Sequence, residues 1–295
     1  MRESDLHRNI FARSADLGAA FPGIVVGPGD DCAVVRTSGG EELLLKVDQV
    51  VEGRHFTAQT PVDLIARKAI ARAVSDIAAM GGTPRWGMAS GVLPAGYPHA
   101  DELCARLAHW GRVFAAPLVG GDIAAGQAGS SLVLGVSVIG VPHGTRGPVL
   151  RSGARVGDEV WVTGKIGGSF VSGRHLTFEP RVREGTRLCD TLGADLHSMM
   201  DVSDGLGRDA GRMAAASNVR IVIEGSRMPL HAEAKDITSA AADGEDYELL
   251  FCAAAGSKID AAIATRIGRV VAGSGCGLEI GNGRVMDAGE MGWEH

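Results

Sequence analysis

The chain has 295 residues, 45% of them hydrophobic and 22% charged, a balance that excludes a disordered or fibrous protein and leaves room for two domains. Its 29 Lys and Arg against 35 Asp and Glu give a formal charge of −6, with no basic run able to neutralise a nucleic-acid backbone. Glycine is in excess, 43 residues against the ordinary ~7%, while aromatic residues are scarce at 4%, so turns are many and stacking surfaces few.

In chain order, Leu6, Ile10, Phe11 and Leu17 predict a short amphipathic helix within 3–17. Strand-like runs at 33–36 and 43–47 flank the turn Ser38-Gly39-Gly40. A helix follows, with Pro61 in its first turn, Asp63 complementing its dipole, a body from Leu64 to Met80, and Gly81-Gly82 as its stop. Strands at 86–92 and 130–140 bracket a second helix at 100–115, making residues 1–145 one domain of mixed α/β or α+β character. The loop of Arg151-Ser152-Gly153-Ala154 to Gly157-Asp158 leads into a second domain, 146–295, with strands at 159–163, 197–202, 219–224, 247–252 and 267–272 and helices at 204–217 and 257–265. Five distant cysteines without a C-x-x-C pair suggest neither a zinc site nor a disulfide framework. A charged N-terminus and the lack of any run near ~18 apolar residues predict a cytoplasmic, soluble protein with no membrane partner.

Familiar phosphate loops are missing. Gly164-Lys165 is followed by Ile166 and not Ser or Thr, and Gly27-Pro28-Gly29 has Cys32 where a dinucleotide fold needs its third glycine. Protein-kinase signatures are also missing. Instead, aspartates recur beside glycines or at the ends of apolar runs: Asp30, Asp31, Asp48, Asp76, Asp122, Asp201 and Asp204. Each alone fits a turn or a helix cap. Asp76 is different, because it shares a helix face with Ile65, Ala69, Ala73 and Met80, so its carboxylate needs Arg72 one turn earlier or a bound cation. Acids converging from several elements suit Mg²⁺, which bridges carboxylates to nucleotide phosphates, and the flanking glycines let backbone N–H groups approach phosphate oxygens. That arrangement points to metal-dependent phosphoryl transfer.

Seven segments in register resemble the thiamine-monophosphate kinase family over nearly the whole chain. They are Gly27-Pro28-Gly29-Asp30-Asp31-Cys32-Ala33, Val51-Glu52-Gly53-Arg54-His55-Phe56, Ser75-Asp76-Ile77-Ala78-Ala79-Met80-Gly81 and Leu118-Val119-Gly120-Gly121-Asp122 in the first half, then Asp201-Val202-Ser203-Asp204-Gly205-Leu206, Gly244-Glu245-Asp246-Tyr247-Glu248-Leu249 and Gly292-Trp293-Glu294-His295. The resemblance implies an α+β (mixed α/β) fold with two domains of the aminoimidazole ribonucleotide synthetase type, the first dimerising with its copy and ATP lying between the domains. It implies phosphorylation of thiamine monophosphate by ATP to thiamine diphosphate, without general base or phosphoenzyme. Several Mg²⁺ ions would be held by Asp30, Asp48, Asp76, Asp122, Asp201 and Asp204; Gly121, Asp122, Arg151 and Ser203 would contact ATP; His55, Glu245 and Trp293 would contact thiamine monophosphate. Read without the resemblance, His55 is an ordinary loop histidine, Glu245 a residue of an exposed turn, and Trp293 a C-terminal aromatic pinned to the core.

Three departures stand out. Lys46-Val47-Asp48 replaces the family's S-T-D, and Lys46, on the same strand face as Asp48, either supplies charge that a Mg²⁺ would otherwise bring or is an exposed strand-edge lysine. Ile123-Ala124 replaces polar residues after Asp122, and the segment between Gly167-Gly168-Ser169 and Phe178 is short, as if a helix were lost. These changes favour, as the alternative, a catalytically weakened nucleotide- or thiamine-phosphate-binding relative, or a sister ATP-dependent synthetase.

Overall fold

The computed structural model describes residues 3–293 except 15 and 282, so Glu294 and His295 of the closing segment lie outside the described residues. Helices α1 (Glu3–Arg13) and α2 (Leu17–Ala20) precede a six-stranded sheet of β1 (Ile24–Val26), β2 (Ala33–Arg36), β3 (Glu42–Val51), β4 (Thr83–Leu93), β5 (Leu118–Ala125) and β6 (Val133–Val141). Its order is β1-β2-β3-β6-β4-β5, antiparallel except between β4 and β5. Helices α3 (Val62–Ala79) and α4 (Ala100–Val113) belong to the same half.

The second half contains a seven-stranded sheet of β7 (Glu159–Thr163), β8 (Leu196–Asp201), β9 (Arg220–Glu224), β10 (Leu249–Ala253), β11 (Ala264–Val271), β12 (Gly275–Glu279) and β13 (Val285–Asp287), in the order β13-β12-β9-β11-β7-β10-β8. Its helices are α5 (Ser169–Ser172), α6 (Val182–Leu192), α7 (Leu206–Ser217) and α8 (Ile237–Ala242). Both faces of this sheet are covered. On β10, Leu250 and Cys252 join the core under α7, while Leu249, Phe251 and Ala253 join the core that holds Leu188, Cys189 and Leu192 of α6.

The long helix α3 positions the site. It packs against β3 and β6 on one side and α6 and β8 on the other, which is why Ile65–Ile70 and Ala73–Ala79 are buried almost all round. It ends in a Schellman turn: Gly82 N–H donates to the Ile77 carbonyl and Gly81 N–H to that of Ala78, both at 2.9 Å. Gly81 has φ +67°, and a Cβ there would lie 2.4 Å from Cys189 Sγ, so the turn needs glycine twice over.

The expected helix at 257–265 is not formed. Ser257 closes a turn onto Ala254, Ile259 and Ile263 pack from irregular chain, and Ala264 already starts β11, whose Thr, Ile and Val residues favour strand. Strand β5 and helix α6 were not anticipated from the sequence. The short segment after Gly168 contains α5 and a single 3₁₀ turn, Arg174–Leu176. No helix among the described residues is long and apolar enough to cross a membrane.

Candidate active site

Four segments converge on α3. The loop before β2 brings Asp30 and Asp31, β3 brings Lys46 and Asp48, the end of β8 brings Asp201, and the loop before β10 brings Glu245. Ser75 and Asp76, on the last turns of α3, face them. One carboxylate oxygen from each of Asp31, Asp76 and Asp201 lies within 4.8 Å of the other two, and all three residues are buried. Ser75 Oγ donates to Asp201 Oδ2 at 2.6 Å. The Arg151 guanidinium donates to Asp31 Oδ1 at 2.5 Å, and the Arg151 backbone N–H donates to the Asp30 carboxylate at 3.1 Å.

Asp31 Oδ2 is buried with no hydrogen-bond partner among the described residues. Burial and then the charge of Asp31 push both Asp30 and Asp201 up to about 6. Burial raises Asp76 well above the usual carboxylate range, helped by Asp201, Asp48 and Asp31 and opposed by Lys46. Crowded, desolvated carboxylates with an unbonded oxygen are the donor set of a hard divalent cation, and Asp31, Asp76 and Asp201 could hold one.

Of the two compensations expected for Asp76, Arg72 is not the partner it meets. Its ion-pair partner is Lys46, whose Nζ lies 2.7 Å from Asp76 Oδ1. Arg72 instead grips both oxygens of Asp48, at 2.9 and 3.1 Å, and reaches Glu245 Oε1 at 3.0 Å. Helical spacing alone points Arg72 at Asp76; the third dimension gives it better acceptors on β3 and on the loop before β10.

Asp122 is not brought to this cluster. In the sheet Asp48 aligns with Val136, then Ala89, then Gly121, so Asp122 pairs with Ser90 on edge strand β5, on the opposite, solvent-facing side from Asp76. The six expected metal ligands therefore do not meet within one chain. Gly121 has a packing role of its own: a Cβ there would stand 2.0 Å from the Ala89 carbonyl oxygen.

Around the loop Asp201-Val202-Ser203-Asp204-Gly205, Asp209 in α7 accepts the N–H groups of Ser203 and Asp204, both at 3.0 Å, and Arg212 binds Asp204 at 2.5 Å. The loop before β10 docks on it through Glu245 N–H to the Ser203 carbonyl and Tyr247 N–H to that of Val202, holding Glu245 and Tyr247 in left-handed backbone at φ 63° and 53°. A pocket lined by Arg54, His55, Phe170, Ser203, Asp204, Glu245 and Trp293 opens beside it. Phe170 and Trp293 lie 5.6 Å apart, ring to ring. Trp293 is 44% exposed and so is not sealed into the core. Glu245, far from sitting in an exposed turn, is buried and bonded to Lys68, Arg72 and Tyr247.

His55 is also buried, and its Nδ1 accepts the Val51 N–H at 3.0 Å, which requires an unprotonated Nδ1. Burial and then the charge of Arg72 push its pKa down to about 4, from 6.5 in an open chain. Between those values the unfolded chain binds more protons than the folded one. The contribution of neutral His55 is thus fully present above pH ~6.5 and is lost as pH falls toward 4. Its ring resonances are expected not to titrate between pH 8 and 5 by NMR; a midpoint near 6.5 would contradict the buried, accepting ring.

Asp31, and not only its neighbour Asp30, stands in the cluster that could hold a metal, a place the sequence does not mark out. The sequence reading also missed Lys68, His175 and Phe170. One signal was available: Lys68, Arg72 and Asp76 repeat every four residues along one side of a mostly apolar helix.

The matches to family models define the class. The description "AIR synthase related protein" fits both halves, its N-terminal domain at residues 29–142 and its C-terminal domain at 155–281. Thiamine-monophosphate kinase of Rhodopirellula baltica is 32% identical, covering 93% of this chain and 92% of its own, and that of Bacillus subtilis is 32% identical over 84% and 82%. The structure of AaThiL complexed with AMPPCP and TMP superposes with a TM-score of 0.83 at 27% identity, covering 100% of this chain and 99% of its own. Escherichia coli HypE, a hydrogenase maturation protein, shares the fold at 19% identity and a TM-score of 0.69, over 95% and 96% of the two chains. This chain belongs to the thiamine-monophosphate kinase family.

Proposed function

We propose that this protein transfers the terminal phosphoryl group of ATP to the phosphate of thiamine monophosphate, giving thiamine diphosphate and ADP. The observation that carries this reading is the whole-chain identity to thiamine-monophosphate kinases, 32% over 93% of the sequence. The pocket chemistry agrees with it. Phe170 and Trp293 offer ring faces to a cationic thiazolium, and Asp204 and Glu245 line the same pocket. Arg151 and Ser203 border the acidic cluster and are assigned to the nucleotide, while His55 shapes the pocket as a neutral ring.

Asp31, Asp76 and Asp201 would hold Mg²⁺, with Asp30 and Asp204 flanking them. Bound there, the metal supplies charge neutralisation for the phosphates of ATP. The acceptor is already an anionic phosphate, so no residue is assigned as general base; the protein's part is to hold the two phosphates in line and keep water out.

Dimerisation is supported by the uncovered face of the first sheet, which exposes Val47 (64%), Trp86 (46%), Met88 (44%) and Val92 (41%). Asp122 lies on that face, so a second copy docked there places β5 at the interface, where Gly121 and Asp122 would serve a site completed by both copies. All five cysteines are free and four are buried, which suits the reducing cytoplasm.

The test is to incubate the protein with thiamine monophosphate, Mg²⁺ and ATP and separate the thiamine esters. ATP-dependent formation of thiamine diphosphate is expected. Tight ligand binding without product would make this a binding protein, and turnover only with formylglycinamidine ribonucleotide or selenide would make it a sister synthetase.

A further inference from the structure

Lys46 projects from β3 toward α3, into the same groove as the carboxylates. Its side chain is only 22% exposed, and its ammonium bonds Asp76 Oδ1 at 2.7 Å. It is therefore not a solvated strand-edge lysine.

The surrounding carboxylates fall into two sets. Asp48 is neutralised by a bidentate Arg72, and Asp76 Oδ1 by Lys46. Asp31 is paired with Arg151 through Oδ1 while its Oδ2 has no hydrogen-bond partner among the described residues, and Asp201 Oδ2 accepts from the neutral Ser75 hydroxyl. A divalent ion bridging Asp48 and Asp76 would have to take the Asp76 oxygen that Lys46 holds and sit beside its ammonium, against direct like-charge repulsion. On the other side Arg151 holds only Asp31 Oδ1, so an ion taking Asp31 Oδ2, the second oxygen of Asp76 and Asp201 displaces no cation from the oxygens it uses.

We propose that Lys46 stands in for a metal ion. Its ammonium fills the cation position between Asp48 and Asp76 and confines divalent cations to the pocket of Asp31, Asp76 and Asp201, so the groove binds one metal fewer than it would with a small hydroxyl residue at 46. This rests on the reading that the groove takes divalent cations with a nucleotide, and not on the identity of the phosphoryl acceptor.

The experiment counts Mn²⁺ bound per protomer, from the electron paramagnetic resonance of free Mn²⁺, in the presence of a non-hydrolysable ATP analogue. Lys46→Ser is expected to bind one more Mn²⁺ than the unaltered protein; equal counts overturn the proposal. The second measurement needs no variant: in crystals of the unaltered protein with Mn²⁺ and the analogue, Lys46 Nζ is expected to remain on Asp76, with anomalous density only at the Asp31, Asp76 and Asp201 side. Density bridging Asp48 and Asp76, with Lys46 displaced, overturns it, as does a protein that binds no Mn²⁺. An extra ion in Lys46→Ser without any thiamine diphosphate formed by the unaltered protein would defeat the kinase reading and leave the role of Lys46 standing.

Discussion

Replacing Asp76 by Asn is expected to lower ATP-dependent formation of thiamine diphosphate by roughly 10²–10³-fold, the scale of losing one preorganised charge at the reacting phosphates. The fold should survive, because the substitution is nearly isosteric and removes a repulsion. Asp76 is buried beside Asp201, Asp48 and Asp31, and burial and those charges hold its pKa well above the carboxylate range despite Lys46. An amide carries no charge to desolvate and can still accept from Lys46. The expected result is therefore a lost rate together with an unchanged or raised melting temperature, read from steady-state turnover at saturating Mg²⁺ and ATP beside a thermal melt. Retained turnover would reduce Asp76 to an anchor for Lys46 and remove it from the phosphoryl site.

Lys68→Met is expected to act on stability instead. Lys68 is fully buried on α3, and its ammonium donates to Glu245, to the His55 carbonyl at 2.8 Å, and meets His175 Nδ1 at 2.8 Å. Burial by itself would raise the pKa of Glu245; the neighbouring His175 and the charges of Lys68 and Arg72 outweigh it and hold Glu245 down to about 2. Removing the lysine leaves a buried carboxylate with Arg72 as its remaining cation and takes a donor from the His55 carbonyl, a change that costs about 3–5 kcal/mol in comparable buried pairs. The lower end is expected here because Arg72 stays. Urea unfolding followed by circular dichroism should show a lower midpoint with an unchanged slope. An unmoved midpoint would mean that Glu245 is held by Arg72 alone.

These two residues show how far the chain could be read. Asp76 was legible because a carboxylate among Ile65, Ala69, Ala73 and Met80 breaks the apolar face of a helix, and one helix is a local object with a fixed period. Lys68 lies two turns earlier on the same helix, yet a lysine among alanines reads as a solvated residue until the loop carrying Glu245 is laid over it. Glu245 was picked out only by its motif and not by its surroundings, since its burial depends on Ser203, 42 positions away, accepting its N–H. The helix expected at 257–265 failed for the related reason that Ile259 and Ile263 serve a core from irregular chain while Ala264 already belongs to a strand.

By itself the sequence determined the two-part α/β organisation, the long helix from Pro61 to Gly82, the glycine-flanked aspartates and the family, because these depend on local periodicity, turn chemistry and motifs in register. Only the tertiary structure decided which charges meet. It joined Lys46 to Asp76, gave Arg72 to Asp48 and Glu245, set Asp31 beside Asp76 and Asp201, and turned Asp122 to the far face of the first sheet. Charge pairing depends on which strand lies over which helix and on which face each residue takes, and a shift of one position along a strand moves a side chain to the other side of the sheet.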